Sequence, residues 1–346
     1  MKVRVPLVLL GCGRVGQALL EEAASLDLQF LGVLDSTGGV VDGGGIPQGR
    51  LSQLLSRKRE GVALGELGVP GEGATSALLA LLRERRGLLV DVTAADTRPF
   101  LFSALEAGWG VVLANKLPLV GPWEDFRRLS SVGYEATVGA GIPLITTLKA
   151  LLGSGDEVHL IQGGLSGTLG FLLAEVERGE AFSQAVRRAM ARGYTEPHPA
   201  EDLSGADLAR KGLILARTLG LPLELEEVEL EPLASPAGRG LPVEGFLQGL
   251  RAQDAELRRR LEGAKRRGLT LRYVVEVSSA GVRAGLREVD RKSPLARAQG
   301  VENVVVINTR RFKGHPLVLA GPGAGPASTC AGLLLDIFRL ARTLGR

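Results

Sequence analysis

Residues 193–211 (GYTEPHPAEDLSGADLARK) hold the densest set of side chains that could bind a charged ligand or move a proton. The two prolines predict a rigid loop. This loop carries three acidic residues, Glu196, Glu201 and Asp202. Ser204 is suited to begin a helix, and Asp207 fits the acidic position of a capping box with it. His198, between the prolines, is interpreted as a loop residue rather than a catalyst.

Lys211 is the residue of this stretch that a structural role explains least well. It lies four residues after Asp207, so one helical turn separates the two side chains. It would also share an apolar helix face with Leu208, Ile214 and Leu215, where an ammonium group is costly unless it is paired. A partly desolvated lysine beside a carboxylate can exchange a proton with an alcohol or carbonyl oxygen. A purely structural ion pair is the alternative.

A glycine-rich turn follows the first predicted strand. Val3–Leu10 is apolar except for Arg4, typical of a strand buried on both faces, and it leads into GCGRVG, residues 11–16. In a GxGxxG turn, Gly11 allows the tight turn, Gly13 lets the backbone approach a pyrophosphate, and Gly16 lets the helix pack on the strand. The small side chain of Cys12 is tolerated there, which we favour over a redox role because no cysteine is near in sequence.

The elements after this turn complete a dinucleotide-binding pattern. A helix is predicted over Val15–Ser25 and a strand over Leu28–Leu34, and Asp35 follows about 20 residues after the glycines, where a carboxylate accepts from ribose hydroxyls. The predicted cofactor contacts are therefore Gly11, Gly13, Arg14, Val15, Gly16 and Asp35.

Strands and helices continue to alternate as far as residue 132. Strands are predicted over Leu88–Thr93 and Val111–Ala114, with helices at Arg98–Ala107 and Trp123–Val132. Because the carboxyl ends of parallel strands hold the ligands of such sheets, Thr93 and Lys116 are candidate site residues. For Lys116, a contact with the nicotinamide or the substrate competes with an exposed loop position.

Two further turns lie in the middle of the chain. Glycines flank Ala140 shortly before Pro143 begins a helix, so main-chain carbonyls there could face a hard cation, or the segment is simply a tight turn; the residues leave both open. A strand over His159–Gln162 then enters the glycine-rich turn 163–168. Its N–H groups could bind a small carboxylate substrate, which makes Gly164 and Thr168 candidates.

The last third predicts an α+β domain. A long helix over Val243–Arg267 precedes strands at Thr270–Ser278, Val282–Val289 and Val304–Thr309. A third glycine turn, 321–325, leads to a helix over Ala327–Leu344, which we expect to return to the nucleotide domain. The fold class is thus α/β: a Rossmann-type parallel sheet domain (residues 1–142), an α+β substrate and dimerisation domain (143–314), and a returning C-terminal segment (315–346).

Composition excludes several classes of protein. The formal charge is +4, but the basic residues are scattered, and the run Arg258–Arg267 is typical of a solvated helix face, so no nucleic-acid partner is expected. No apolar run is long enough to cross a membrane, and no signal peptide is apparent, so we expect a cytoplasmic protein without a membrane partner. Two cysteines make neither a disulfide framework nor a zinc cluster.

Taken together, these motifs resemble the homoserine dehydrogenase family. The similarity rests chiefly on DLSGADLARK in residues 202–211, and it extends to residues 114–116, 135–143, 163–168 and 315–325. The resemblance implies NAD(P)-dependent interconversion of L-homoserine and L-aspartate 4-semialdehyde, in threonine and methionine biosynthesis, by a homodimer. We expect a short form without the C-terminal regulatory domain that some members carry.

The resemblance also implies roles for individual residues. Lys211 matches the proton-transfer lysine, Asp207 the acid beside it, and Lys116 a conserved active-site lysine. Glu196, with Asp202, Gly164 and Thr168 on the neighbouring turns, would bind the substrate. Thr93 and Gly325 would contact the cofactor. A sodium ion would be held by main-chain oxygens of Glu135, Val138, Ala140 and Ile142. His198 departs from the family, which commonly has Asp at this position.

Two rival functions and the choice of cofactor stay open. A thioester-forming semialdehyde dehydrogenase would need a cysteine in the substrate domain, and a non-catalytic dinucleotide sensor would not need Lys211. NAD is favoured over NADP because Asp35 would repel a 2′-phosphate and Ser36 offers no cation. Basic residues in a predicted loop, Arg50, Arg57, Lys58 and Arg59, could still bind that phosphate.

Overall fold

The computed structural model describes residues 5–26, 28–297 and 302–344 and divides the chain into two units. The first unit combines Met1–Gly141 with Gly325–Arg346, and the second is Ile142–Ala324. The second boundary differs from the predicted break after residue 314, because the strand at Leu317–Pro322 is hydrogen-bonded into the sheet of the second unit.

The first unit contains six strands and eight α-helices among its described residues. The strands are β1 (Pro6–Leu10), β2 (Gln29–Asp35), β3 (Gly38–Val41), β4 (Val69–Pro70), β5 (Leu88–Asp91) and β6 (Gly110–Leu113). The helices are α1 (Arg14–Leu26), α2 (Gln48–Arg59), α3 (Leu64–Leu67), α4 (Gly71–Glu84), α5 (Arg98–Glu106), α6 (Leu117–Val120), α7 (Trp123–Arg128) and, after the second unit, α16 (Pro326–Leu344).

The sheet of the first unit has the strand order β4-β3-β2-β1-β5-β6. Strand β1 pairs in parallel with β2 on one side and β5 on the other, and β5 pairs in parallel with β6. The chain order therefore reverses at β1, which is where open α/β sheets bind their ligands, at the carboxyl ends of the strands. The predicted Rossmann-type sheet is confirmed. The antiparallel edge strands β3 and β4 were not predicted.

Helix α16 belongs to the first unit, as the sequence predicted for this helix. Its apolar side chains Cys330, Leu333 and Ile337 are buried in one cluster with Leu7 and Leu9 of β1. The amphipathic pattern of the C-terminal segment thus reflects packing against the sheet of the first unit. None of the described helices in the molecule combines the length and apolar character that crossing a membrane requires.

The second unit contains six strands and eight α-helices among its described residues. The helices are α8 (Leu144–Gly153), α9 (Gly167–Glu177), α10 (Phe182–Ala191), α11 (Ala200–Leu203), α12 (Ala206–Thr218), α13 (Val243–Gly249), α14 (Arg251–Arg266) and α15 (Pro294–Arg297). The strands are β7 (Val158–Gly164), β8 (Glu229–Leu230), β9 (Leu269–Ser278), β10 (Gly281–Asp290), β11 (Glu302–Thr309) and β12 (Leu317–Pro322).

These strands form a second sheet in the order β12-β11-β7-β9-β10-β8. All pairs are antiparallel except β10 with β8, so the α+β class is confirmed for this unit. Helix α12 lies directly on the sheet at Gly212. A Cβ at this position would be 2.5 Å from a Val275 methyl group and 2.7 Å from one of Val282. This close approach fixes the helix that carries Lys211.

Several local predictions differ from the structure. Gly163 and Gly164 continue β7 rather than forming a turn, because ladder pairing with Val305 and Val304 of β11 outweighs the weak strand preference of glycine. The predicted helix over Val243–Arg267 is two helices that meet at Leu250, after two glycines that weaken the first of them. Residues 48–59 form α2, not a loop.

Candidate active site

The glycine turn between β1 and α1 has the geometry that its sequence predicts. Gly11 has a φ of +102°, and a Cβ on Gly16 would lie 2.0 Å from the Gly11 carbonyl oxygen. Neither position can therefore carry a side chain without a shift of the backbone. A Cβ on Gly13 would meet nothing within 4 Å, so the backbone is open to a ligand there.

A cavity of about 1110 Å³, called the nucleotide-side cavity below, opens at the carboxyl ends of β1, β2 and β5. This volume is ample for a large organic ligand. Of the predicted cofactor residues, Gly11, Gly13, Asp35 and Thr93 line it, as do Cys12, Ser36 and Lys58. Arg14, Val15 and Gly16 are not among its lining residues; they form the first turn of α1, whose N–H groups can bind phosphate.

Asp35 is paired with a cation inside this cavity. Lys58 Nζ lies 2.6 Å from Asp35 Oδ2, and both Thr37 N–H and Thr37 Oγ1 donate to Asp35 Oδ1, at 2.8 and 2.6 Å. Burial alone would raise the pKa of Asp35, but the hydrogen bonds from Lys58 and Thr37 outweigh it and lower that pKa below the usual value.

The other three basic residues of this segment are held elsewhere. Arg50 binds the Leu67 carbonyl oxygen and Gln53, Arg57 pairs with Glu60, and Arg59 pairs with Glu21. Successive side chains of a helix point in different directions, and on α2 the side chain of Lys58 is the one of this set that lines the cavity. The sequence offered all four residues equally as phosphate ligands, and of the four only Lys58 lines the cavity.

Lys116 lies three residues after the end of β6 and is the N-cap of α6. It is half-buried and has helical backbone angles, and it is not among the residues that line the nucleotide-side cavity. Its neighbour Asn115 is buried and donates to Asp91 at the end of β5 and to the Ala95 carbonyl oxygen. Lys116 therefore directly follows a residue that hydrogen bonds hold in place.

In the second unit, Lys211 is 8% exposed and its ammonium group is held from two sides. Nζ lies 2.8 Å from Asp207 Oδ2, one turn earlier on α12, and donates to the Leu165 carbonyl oxygen at 2.6 Å. Leu165 lies between β7 and α9, so this contact ties the predicted anion-binding segment to α12. The carbonyl partner had no signature in the sequence.

The start of α12 differs from the predicted capping box. Gly205, with a φ of +72°, is the N-cap, and α11 precedes it. Ser204 Oγ accepts from the Ala206 N–H instead. Gly205 is required because a Cβ there would lie 2.1 Å from the Tyr273 hydroxyl oxygen. Asp207 is thereby available to pair with Lys211.

The acidic loop before α12 brings three predicted substrate residues together. Asp202 Oδ2 accepts from the Glu196 N–H at 2.8 Å, and Thr168, at the start of α9, donates to the Tyr194 carbonyl oxygen and lies close enough to Asp202 to affect its pKa. Burial raises the pKa of Asp202, although Glu196 and Thr168 partly offset it. The Glu196 side chain itself is exposed. Gly164 lies apart from this cluster in sequence, at the end of β7.

His198 holds this loop in place, in agreement with its interpretation as a loop residue. Its Nε2 lies 3.1 Å from the Leu241 carbonyl oxygen, its Nδ1 accepts from the Ala200 N–H, and its ring packs on Phe246. These contacts occupy both ring nitrogens, so His198 acts on the position of the acidic loop.

The segment predicted to bind sodium is irregular and buried. Glu135 begins a 3₁₀ turn, and Ala140 is the non-glycine residue with positive φ (56°) among the described residues. Val138 is fully buried. In the described part of the chain no three carboxylate, thiol or imidazole groups converge as metal ligands, so a cation here would depend on main-chain oxygens. Ile142 begins the second unit, and its carbonyl oxygen accepts from the Leu144 N–H.

Comparisons with known proteins agree with this geometry. The family model for homoserine dehydrogenase matches residues 143–338. A homoserine dehydrogenase from Emericella nidulans is 35% identical over 284 residues, which cover 75% of this chain and 76% of the fungal protein. A chloroplastic bifunctional aspartokinase/homoserine dehydrogenase 2 from Zea mays is 34% identical over 375 residues, covering 99% of this chain but only 39% of the maize protein.

A solved structure shares the fold across the whole chain. It is a hyperthermophilic archaeal homoserine dehydrogenase in complex with NADPH, with a TM-score of 0.76 and 25% sequence identity. The match covers 99% of this chain and 98% of the archaeal chain.

Proposed function

Because the chain belongs to the homoserine dehydrogenase family, we propose that it interconverts L-homoserine and L-aspartate 4-semialdehyde with NAD or NADP, a step of threonine and methionine biosynthesis. The observation that carries the proposal is the buried ammonium group of Lys211 between Asp207 and the Leu165 carbonyl oxygen. A lysine so placed can donate a proton to an aldehyde oxygen or accept one from an alcohol.

Lys211 is the proton-transfer residue of this proposal. In the direction of reduction its ammonium group donates a proton to the aldehyde oxygen, and in the direction of oxidation the neutral amine takes the proton from the hydroxyl group. Asp207 positions the amine through the 2.8 Å contact. Lys116, between β6 and α6 and next to the hydrogen-bonded Asn115, is proposed as a second cationic group for the substrate.

The acidic loop would recognise the amino acid part of the substrate. Glu196 presents an exposed carboxylate for the substrate ammonium group, while Asp202 fixes the Glu196 backbone and contacts Thr168. The segment from Gly164 to Thr168 leads into the N-terminus of α9, where N–H groups suit the substrate carboxylate. We propose Glu196, Asp202, Gly164 and Thr168 as the substrate-binding set.

The first unit would hold the dinucleotide. The open backbone at Gly13, the first turn of α1 and the cavity beside Asp35 fit a pyrophosphate and an adenosine ribose, and Thr93 lines the same cavity. When bound, the cofactor accepts or donates the hydride. Gly325 has a φ of +105° directly before α16 and is proposed as a further contact.

Asp35 and Lys58 together suit either cofactor. Asp35 can accept from a ribose 2′-hydroxyl of NAD, whereas Lys58 offsets its charge and can turn to a 2′-phosphate. We retain NAD as the preferred cofactor and propose NADP as a second one. A sodium ion at the carbonyl oxygens of Glu135, Val138, Ala140 and Ile142 remains part of the proposal, as a structural cation.

A homodimer is proposed on the face of the second sheet opposite α12, at the part of this face that the α15 cluster around Val306 leaves uncovered. The strand register aligns Val318, Val306, Gln162 and Glu276 across four strands. Glu276 lies on the face opposite Val275, which packs on α12. Val318 is 39% exposed on this face, and Gln162 and Glu276 are half-buried. Light scattering at micromolar concentration should give twice the chain mass; a monomeric mass would contradict the proposal.

The rival functions have less support. The two cysteines of the chain lie in the nucleotide turn and in α16, both are buried, and burial raises both pKa values to about 11, so neither is suited to form a thioester. A sensor without turnover has no use for a buried lysine beside a carboxylate.

The direct test of the proposed function follows the absorbance of the reduced nicotinamide. L-homoserine should reduce NAD, NADP or both, and L-serine, which is one carbon shorter, should reduce neither at a comparable rate. Failure of L-homoserine with both cofactors, under conditions where the dinucleotide binds, would favour the sensor.

A further inference from the structure

Asp91 is a fully buried carboxylate that none of the sequence motifs explains. It ends β5 and is 0% exposed. Among the described residues no lysine or arginine pairs with it; its partners are the Thr93 N–H on Oδ1 at 2.9 Å, Asn115 Nδ2 on Oδ2 at 3.0 Å, and the Thr97 hydroxyl, also on Oδ2. Both oxygens therefore accept, and all three partners donate.

These donors belong to two loops of the candidate site. Thr93 and Thr97 bound the loop after β5, and all five residues from 93 to 97 line the nucleotide-side cavity. Asn115 stands directly before Lys116 at the end of β6. The Asn115 amide also donates to the Ala95 carbonyl oxygen at 2.7 Å, and its oxygen accepts from the Leu117 N–H at 3.0 Å. The two loops are thus joined through the Asp91 and Asn115 side chains.

The energetic consequence follows from burial. A buried carboxylate without a cation is costly unless hydrogen bonds satisfy its oxygens. Here one donor is the Thr93 N–H and a second is the Thr97 hydroxyl group, both in the loop 93–97, which we call the cofactor-side loop. The third donor is the side chain of Asn115, the residue before Lys116. Displacing either loop would leave a buried oxygen without a partner. Asp91 therefore favours the single arrangement in which both loops are held at their strand ends.

We propose that Asp91 is a positioning residue of the dehydrogenase, which sets the cofactor-side loop 93–97 and Lys116 relative to each other. The inference rests on the proposed function for its catalytic consequence. It does not require Asp91 to touch substrate or cofactor, and it assigns the buried carboxylate to preorganisation of the site rather than to general stability.

A chemically matched carboxylate in the second unit separates these two roles. Asp156 is 6% exposed, and it likewise accepts from a threonine hydroxyl (Thr309, 2.7 Å) and from two backbone N–H groups, of Glu157 and Arg311. It precedes β7 and joins this strand to the end of β11. Asp156→Asn is thus a control that removes a similar buried acceptor away from the proposed site residues.

The experiment compares Asp91→Asn with Asp156→Asn, each checked for melting temperature. In Asp91→Asn the new amide nitrogen must face either the donors on Oδ2 or the Thr93 N–H, so one side of the network opens. We expect kcat with L-homoserine to fall about 100-fold, and the dissociation constant for the dinucleotide, measured by fluorescence without turnover, to rise about tenfold or more. Asp156→Asn should leave both within about twofold, even if it melts earlier.

Substitutions of Thr97 keep the test decisive if Asp91→Asn does not fold. Thr97→Val keeps the shape and removes the hydroxyl group, so cofactor affinity and kcat should drop; Thr97→Ser keeps the hydroxyl group and should restore most of both. A folded Asp91→Asn with near-normal kcat and affinity, or equal effects of Thr97→Val and Thr97→Ser, would overturn the inference. If the wild type does not oxidise L-homoserine, the proposed function fails, while the affinity measurements still decide the role of Asp91.

Discussion

Lys58 Nζ donates to Asp35 Oδ2 across 2.6 Å inside the nucleotide-side cavity. Only 19% of the Lys58 side chain and 13% of the Asp35 side chain are exposed, so solvent screens this pair less than a surface pair. The carboxylate at the end of β2 therefore does not act as an uncompensated negative charge. Asp35 accordingly repels a 2′-phosphate less, and favours NAD less, than its position in the sequence predicts.

Replacing Lys58 should change the choice of cofactor. In Lys58→Gln the only cation beside Asp35 in the described cavity lining is gone, so kcat/KM with NADP should fall about 10- to 100-fold, the value of one charged hydrogen bond. The value with NAD should change little. Asp35→Ala should act in the opposite sense, lowering kcat/KM with NAD and sparing NADP. Steady-state kinetics with both cofactors measure all four effects.

Arg57→Gln is the matched control for this prediction. Arg57 neighbours Lys58 on α2 but pairs with Glu60 and is not among the cavity-lining residues, so neither cofactor should be affected. If NADP is preferred and neither Asp35→Ala nor Lys58→Gln alters the ratio of the two cofactors, this pair does not discriminate between them.

The glycine turn gives a prediction in which two similar substitutions fail for different reasons. Gly13→Ala adds a methyl group in open space, so the protein should fold normally but bind the dinucleotide about tenfold or more weakly. Gly16→Ala places its methyl group 2.0 Å from the Gly11 carbonyl oxygen, so it should lower the melting temperature even without cofactor. Calorimetry and cofactor titration separate the two; a normal affinity for Gly13→Ala would contradict the assignment of the turn.

The two buried thiols should be unreactive at neutral pH. Burial, mainly, raises the pKa of Cys12 to about 11 and that of Cys330 to about 11, so at pH 8 roughly one thiol in a thousand is a thiolate. Alkylation of the native protein should therefore be slow and should accelerate as the pH rises towards 11, whereas the denatured chain reacts at once.

Bound dinucleotide provides an internal comparison for this labelling. Cys12 lines the cavity, whereas Cys330 faces the core from α16, so cofactor should slow labelling of Cys12 more than that of Cys330. Mass spectrometry of the alkylated peptides gives both rates. Labelling of native Cys12 at pH 8 as fast as in the denatured chain would be inconsistent with this environment.

The sequence predicted those elements that are determined by residues close together in the chain. The apolar run before GCGRVG, the glycine turn itself and the pairing of Lys211 with Asp207 could be predicted because each depends on neighbours within about one turn or one strand. Helix α2 could not be predicted in this way, because most of its residues are polar. The contact between Lys58 and Asp35 depends on tertiary packing.

Long-range contacts explain the other differences. Gly163 and Gly164 read locally as a turn, but hydrogen bonds to β11, distant in sequence, extend β7 through them. The Leu165 carbonyl oxygen as a partner of Lys211, and the Asp91 network, depend on contacts between separate elements and on backbone atoms, which residue type does not encode. The N-cap at Gly205 is set by Tyr273 from β9.

Lys211 transfers the proton in the proposed oxidation of L-homoserine, so its removal should cost more than a change at its partner. Asp207→Asn should be the milder of the two substitutions, since the Leu165 carbonyl oxygen still holds the amine. Lys265→Ala is the control, because Lys265 also donates to a main-chain carbonyl oxygen, that of Glu177, but lies on α14, which carries none of the proposed site residues. Its turnover should match that of the wild type.

The decisive measurement is therefore the initial rate of nicotinamide reduction by L-homoserine in Lys211→Ala and in the wild type, with the dinucleotide dissociation constant determined for both. We expect a loss of about 10²- to 10⁴-fold in kcat with the dissociation constant unchanged. A folded Lys211→Ala that turns over within a few-fold of the wild type would show that another group transfers the proton.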